Sequence, residues 1–286
     1  MIAPVQKDDG QTYDAILLDL DGTLVNSQGS ILPRTRSALH AASEAGIRVM
    51  IATGRSAEGT LPVIEALGLD GPAVVYNGAG IYCPRAGKLI EERVLSNRAV
   101  ERTLAFASER ELLTVVMRPR QKFGMAPRTD EERAATKWLE ELKIVPAQDL
   151  PRETLIRITL FGLEGMTSAR LRSDLEASMD QPVYLTDFPL NCLAGHRESL
   201  LGVVDIQPPC RGKGEALRFL QETYGIPPER VVAVGDASND VPMLEAAGLG
   251  VVMEESMVEA REVADRTIGS CETDTIAELV EELFLS

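Results

Sequence analysis

The sequence predicts an α/β fold, a doubly wound parallel sheet core interrupted by an inserted α+β domain. Three observations predict it. Short apolar runs alternate with helix-like segments at both ends of the chain, the middle loses that alternation, and the apolar runs of the two ends finish in polar, chemically capable residues.

At the N-terminal end, residues 15–20 read as a strand, 34–45 as a helix, 47–52 as a strand, 57–67 as a helix and 73–76 as a strand. Strands that are apolar on successive residues and joined through helices belong to a parallel sheet covered on both faces. From about residue 83 to 198 the texture changes. Strand-like runs at 112–117 and 155–161 stand among helix-like segments at 97–108, 131–142 and 166–179, which reads as α+β. The last third resumes the first rhythm, with a helix at 213–224, a strand at 231–234, a helix at 241–247, a strand at 249–252 and helical spacing over 273–283. A chain of 286 residues is long for a single core, so two domains are expected. They are a Rossmann-like core of residues 1–82 and 199–286, and an insertion at 83–198.

Composition narrows the function. With 29 Lys and Arg against 44 Asp and Glu, the formal charge of −15 repels polyanions and argues against a nucleic-acid partner. Many of the acids fall at 130–141 and 272–282, where a solvated helix face explains them. Cys83, Cys192, Cys210 and Cys271 form no CxxC pair, so neither a zinc site nor a disulfide framework is expected, and reduced thiols suit a cytoplasm. Lys7, Asp8 and Asp9 precede any apolar run, and no run reaches the roughly 18 residues that span a bilayer, so neither export nor membrane insertion is expected.

In a parallel sheet, ligands gather beyond the carboxyl ends of the strands where strand order reverses. Four apolar runs end there in polar groups: Asp19 and Asp21, then Thr53-Gly54-Arg55, then Asn77-Gly78, then Gly235-Asp236. If Asp19 ends an extended strand, it and Asp21 point to one face and address one small volume. Two like charges at the end of a buried strand are penalised by desolvation and by each other, which asks for a positive partner. Asp236, Asn239 and Asp240 of "GDASND" arrive at the same edge, making a hard-oxygen environment that suits Mg2+. Lys213, opening a helix in "RGKGEAL", brings an ammonium. The Thr53 hydroxyl and the Gly54 N–H can donate to phosphate oxygens whose charge Lys213 and the metal offset. One carboxylate then attacks phosphorus and the other handles the leaving-group proton.

With "DLDGTL" (19–24), "ATGR" (52–55), "RGKGEAL" (211–217) and "GDASNDVPML" (235–244) in this order, and "VVYNGAGIY" (74–82) leading into the insertion, the chain resembles the haloacid dehalogenase-like phosphatases. Within them it is similar to the Cof-like branch, whose type IIB cap is inserted between the second and third motifs. The resemblance implies that Asp19 is the nucleophile and a metal ligand. Asp21 would be the general acid and later the base, with its backbone carbonyl on the metal. Thr53, Gly54 and Lys213 would hold the phosphoryl group and Asp236 would bind Mg2+, with Asn239, Asp240, Asn77 and Arg55 in support. Asp19 must then be ionised and Asp21 protonated. Metal and lysine are expected to favour charge on Asp19, while the like charge and burial raise Asp21.

One departure stands out. The chain reads "VVMEES", with Glu254 and Glu255 where the family commonly has glycine and asparagine, and two acids near a phosphate oppose a dianion unless they point outward. "QPPCRGKG" lacks the first glycine and the Ser/Thr of a nucleotide P-loop, and "GAGIYC" lacks the third glycine of a dinucleotide fingerprint. His40, His196 and Trp138 read as structural or surface residues. Arg118, Arg120 and Lys122 either meet an anionic substrate or form a solvated loop. The expected function is a Mg2+-dependent phosphatase on a small phosphorylated metabolite, such as a sugar phosphate or phosphorylated cofactor. A phosphomutase and a non-catalytic phospho-aspartate signalling module are the alternatives. The sequence does not set the oligomeric state.

Overall fold

A computed structural model describes residues 12–137, 139, 141–162, 165–192 and 194–285. Lys7, Asp8, Asp9 and Trp138 lie outside the described residues. The chain begins with β1 (Ala15–Leu18), α1 (Pro33–Glu44), β2 (Arg48–Ala52), α2 (Ala57–Leu67) and β3 (Ala73–Val75), followed by the hairpin β4 (Gly80–Cys83) and β5 (Lys88–Glu92). A second group follows: α3 (Asn97–Glu109), β6 (Leu113–Arg118), β7 (Gln121–Gly124), α4 (Asp130–Thr136), β8 (Leu142–Ile144), β9 (Arg157–Phe161), α5 (Ser168–Ser178), β10 (Tyr184–Pro189) and β11 (Gly202–Gln207). The chain closes with α6 (Glu215–Tyr224), β12 (Val231–Gly235), α7 (Val241–Leu244), β13 (Leu249–Met253), α8 (Val258–Val263), β14 (Arg266–Ile268) and α9 (Thr275–Phe284).

The first sheet runs β14-β13-β12-β1-β2-β3-β4-β5. Pairings from β14 through β3 are parallel, while β3–β4 and β4–β5 are antiparallel. Because β1 pairs with β2 on one side and with β12 on the other, the chain leaves it at the point where strand order reverses. Every residue of β1 is buried, since alternate side chains serve two apolar layers. Ile16 and Leu18 join the layer containing Leu39, Ile64 and Leu279, whereas Ala15 and Leu17 join the layer with Leu217, Leu220 and Met243. Helices therefore cover both faces, as a doubly wound sheet requires.

The second sheet runs β10-β11-β9-β6-β7-β8. One face packs on α3 and α5 through Val116, Ile158, Leu160, Val204 and Ile206, and the other continues the core layer through Leu113, Val115, Phe161 and Val203. The divisions expected at 82/83 and 198/199 cut through this pattern. Cys83 pairs with Lys88, so the chain leaves the first sheet only after β5, and β11 belongs to the second sheet, so it returns only after Gln207. β5 alternates exposed and half-buried residues and gives little apolar signal, whereas β11 is buried on every residue and imitates a core strand. The helix expected at 131–142 ends at Thr136, and Leu142 opens a strand instead. Among the described residues no helix is long and apolar enough to cross a membrane.

Candidate active site

β1 delivers Asp19 to the carboxyl edge of the sheet, where its N–H donates to the Val234 carbonyl at 3.0 Å. The chain then turns at once, with Thr23 N–H on the Leu20 carbonyl and Val25 N–H on the same oxygen. Strand periodicity stops at Leu18, and the two aspartates separate: Asp19 is 4% exposed, whereas the Asp21 side chain is 53% exposed at the rim. There Asp21 accepts from Arg55, whose Nε lies 2.9 Å from Oδ2. Gly22 makes the turn at φ +85, and a Cβ on it would stand 2.5 Å from Asp236 Oδ2. Only glycine lets the two acidic loops approach this closely.

Lys213 is 1% exposed and donates to Asp19 Oδ1 and Asp240 Oδ1, each at 2.6 Å. Asp240 is committed on both sides, because its Oδ2 accepts from the N–H groups of Asp236 and Ala237 at 3.0 Å. That grip shapes the loop after β12 and presents Asp236, whose Oδ1 accepts from the Thr23 hydroxyl at 3.0 Å. Carboxylate oxygens of Asp19, Asp236 and Asp240 lie within 4.8 Å of one another. A buried ammonium set between two carboxylates cannot lose one partner cheaply, since an uncompensated buried charge costs about 3–5 kcal/mol.

The loop after β2 supplies the remaining group. Thr53 is 1% exposed and its hydroxyl accepts from Arg55 N–H at 3.1 Å. Its backbone carbonyl accepts from Asn77 N–H, joining this loop to the turn after β3. In that turn Tyr76 and Asn77 both have positive φ, 53 and 49, a conformation non-glycine residues rarely hold without a purpose. It buries Asn77 beside Gly54, where the side-chain amide accepts from Asn239 at 3.0 Å and donates to Thr186 of the second sheet at 3.4 Å. Asn77 thus ties three segments together, and the sequence-predicted set of Asp19, Thr53, Gly54, Asn77, Lys213, Asp236, Asn239 and Asp240 converges on one volume. Asp21 and Arg55 form its rim.

The expected burial of Asp21 is not found: Asp19 is the buried acid of the pair, and Asp21 lies at the rim because the chain turns immediately after Asp19. Desolvation pushes the Asp19 carboxyl well above the usual range, Lys213 pulls it back, and the nearby acids add to the rise. Desolvation also opposes the Lys213 charge, but Asp19 and Asp240 more than offset it and keep the ammonium ionised. Burial, followed by the charge of Asp240, lifts Asp236 to about 6. Carboxylate oxygens of Asp19 and Asp236 lie within 4.8 Å of each other, close enough for two carboxylates to share a cation.

Other expectations resolve individually. Glu254 and Glu255 are exposed, so they do not crowd the buried acids. The ring of His40 bonds the Leu67 carbonyl at 2.6 Å, a structural contact. Arg118 donates to the Glu153 carbonyl, and Pro119 between the basic residues accepts from the Tyr76 hydroxyl at 3.0 Å, so this hairpin docks on the first sheet's rim. Sequence reasoning missed Thr23 and the residues of the second sheet that face the site: Arg157, Thr159, Tyr184, Thr186, Asp205 and Gln207. The available signal was a polar residue at every second position of "RIT" and "VVDIQ".

Residues 16–280 match the family model of the haloacid dehalogenase-like hydrolases. The chain is 30% identical over 279 residues to the pyridoxal phosphate phosphatase YbhA of Escherichia coli, covering 94% of this chain and 98% of that one. It is 25% identical to the 5-amino-6-(5-phospho-D-ribitylamino)uracil phosphatase YwtE of Bacillus subtilis, covering 94% and 97%. Among solved structures, a haloacid dehalogenase-like hydrolase from Bacteroides thetaiotaomicron superposes with a TM-score of 0.74 at 26% identity, covering 96% of this chain and all of that one. A subclass IIB sugar phosphatase shares the fold, with a TM-score of 0.77 at 20% identity over 94% of this chain and 98% of its own. The chain belongs to the haloacid dehalogenase-like hydrolases, in their Cof-like branch.

Proposed function

We propose that this chain is a Mg2+-dependent phosphatase that hydrolyses a small phosphorylated metabolite, a sugar phosphate or phosphorylated cofactor, through an aspartyl-phosphate on Asp19. One observation carries the reading: the buried Asp19 carboxylate is held at 2.6 Å by Lys213 and stands within 4.8 Å of Asp236 and Asp240. The phosphatase names of YbhA and YwtE support it.

The donor set fits magnesium. Asp19 and Asp236 supply hard oxygens within 4.8 Å of each other, while Asp240 is spent on Lys213 and two backbone N–H groups. Asp19, Asp236 and the main-chain carbonyl of Asp21 would hold the ion, which when bound supplies positive charge for the phosphoryl oxygens. Lys213 neutralises one of those oxygens and aims Asp19. The Thr53 hydroxyl and Gly54 N–H donate to the others. Asp19 attacks phosphorus as the bond to the leaving oxygen breaks, and Asp21 gives that oxygen its proton. Asp21 then takes a proton from water, whose oxygen attacks phosphorus and frees Asp19. The rim position of Asp21 suits contact with a leaving group that enters from outside. The second sheet with its helices acts as the cap, and free thiols at Cys83, Cys192, Cys210 and Cys271 fit a reducing cytoplasm.

Purified protein is expected to release inorganic phosphate from p-nitrophenyl phosphate with Mg2+, without a bisphosphate primer. EDTA and Asp19→Asn should each abolish it. Turnover that survives either one contradicts the proposal, and a requirement for primer would make the protein a phosphomutase.

A further inference from the structure

The face of the second sheet turned toward the phosphoryl pocket is only half apolar. Beside Val115, Phe161 and Val203, which pack on the core, β9, β11 and β10 present a polar row. Tyr184 pairs with Gln207, and the register Ile206 to Ile158 places Arg157 opposite Gln207 one residue further on. Directly opposed side chains have Cβ atoms roughly 5 Å apart. The ends of this row are anchored to the first sheet. Arg157 donates to the Gly54 carbonyl at 2.9 Å, and the Tyr184 hydroxyl lies 2.2 Å from where a Cβ on Gly212 would stand, next to Lys213. Gln207, at the centre, therefore roofs the space between the Thr53-Gly54 loop and Lys213.

Gln207 is 0% exposed, yet neither its amide oxygen nor its amide nitrogen has a hydrogen-bond partner among the described residues, and the Nε of Arg157 is likewise unpartnered. An unmet buried donor or acceptor costs about 1–3 kcal/mol, so such groups persist where a ligand completes them. The charge of the row is close to balanced, because Asp205 lies 3.4 Å from Arg157 and also accepts from Thr159. A carboxylate or second phosphate on the leaving group would meet Asp205 and the Gln207 carbonyl oxygen. A neutral group that accepts from the amide nitrogen and donates to the amide oxygen satisfies both atoms at once.

We propose that Gln207, flanked by Arg157 and Tyr184, is the specificity-determining residue for the leaving group and selects a neutral one bearing hydroxyls, either a polyol chain or a hydroxylated ring. This rests on the phosphatase reading of the same site. The test measures kcat/KM for two matched pairs: ribitol 5-phosphate against n-pentyl phosphate, and glucose 6-phosphate against cyclohexylmethyl phosphate. The wild type should prefer the hydroxylated member of at least one pair by about tenfold or more, the worth of one or two neutral hydrogen bonds. The pair that shows it separates a chain from a ring. Gln207→Leu should collapse that ratio while leaving the ligand-free Tm unchanged or raised, because it removes unsatisfied buried polar atoms. A purely structural glutamine would give a lower Tm and an intact ratio, which overturns the assignment. A wild type without preference in either pair overturns it with no variant at all. Hydrolysis of p-nitrophenyl phosphate but of none of the four compounds also overturns the assignment, whereas absence of hydrolysis of p-nitrophenyl phosphate as well would sink the phosphatase reading.

Discussion

Asp236 shows what the site asks of a single side chain. It is held between Thr23, Asp19 and the loop that Asp240 grips, and burial lifts it to about 6 from an ordinary 3.8. A carboxyl raised in the folded state contributes stability that is complete below the unfolded value and is lost as pH climbs through the folded one. Removing its charge should therefore matter most near neutrality. Without Mg2+, the Tm of Asp236→Asn is expected to rise relative to wild type between about pH 4 and about pH 7, with Mg2+ reversing the order at the upper end. A Tm difference that is flat with pH would show that Asp236 is not under this strain. The aspartates and Thr53 were legible in the sequence because each follows an apolar run at the same edge of a parallel sheet, and Lys213 because it opens a helix in "RGKGEAL". The different settings of Asp19 and Asp21 were not, because the turn from Asp19 to Thr23 breaks the two-residue alternation, and no local pattern announces where that happens.

Among the elements, the turn after β3 does work that its length hides. Tyr76–Gly78 brings Asn77 against Gly54 and Asn239, and Gly78, at φ +94, sits so close to the Lys213 turn that a Cβ would be 2.2 Å from the Gly212 carbonyl oxygen. Gly78→Ala has no relaxed alternative, since both the dihedral and a backbone atom oppose it. It should destabilise the protein by about 3 kcal/mol or more, and by displacing Lys213 lower kcat for p-nitrophenyl phosphate more than it raises KM. Chemical denaturation together with steady-state kinetics checks both halves, and a near-neutral variant would refute the contact. The parallel strands β1, β2, β3, β12 and β13 were readable from continuous apolar runs, whereas β14, only Arg266–Ile268, carries no such run. The edge strand β5 and the cap strand β11 were not readable, because β5 alternates exposed and half-buried residues with only two apolar ones and β11 is as uniformly buried as a core strand.

At the scale of the whole molecule, one apolar layer runs from the helices α1 and α9, through the first sheet, to the inner face of the second. The candidate active site lies under the polar half of that face. Arg157 on Gly54, Tyr76 on Pro119 and Asn77 on Thr186 tie roof to floor at the pocket itself, so the site is completed by parts of the chain 43 to 109 residues apart. The floor was legible because its chemistry is clustered in short motifs. The roof was scattered as single polar residues through apolar strands, and only the register of β9, β10 and β11 brings Arg157, Gln207 and Tyr184 into one row.

The most direct measurement is peptide mass mapping of Asp21→Asn protein mixed with p-nitrophenyl phosphate and Mg2+ and quenched in acid. With water activation impaired, one phosphoryl group should be found on the peptide containing Asp19 and nowhere else. Phosphate release at the wild-type rate with no phosphorylated peptide, or a phosphoryl group on another side chain, would contradict the assignment of Asp19 as the nucleophile.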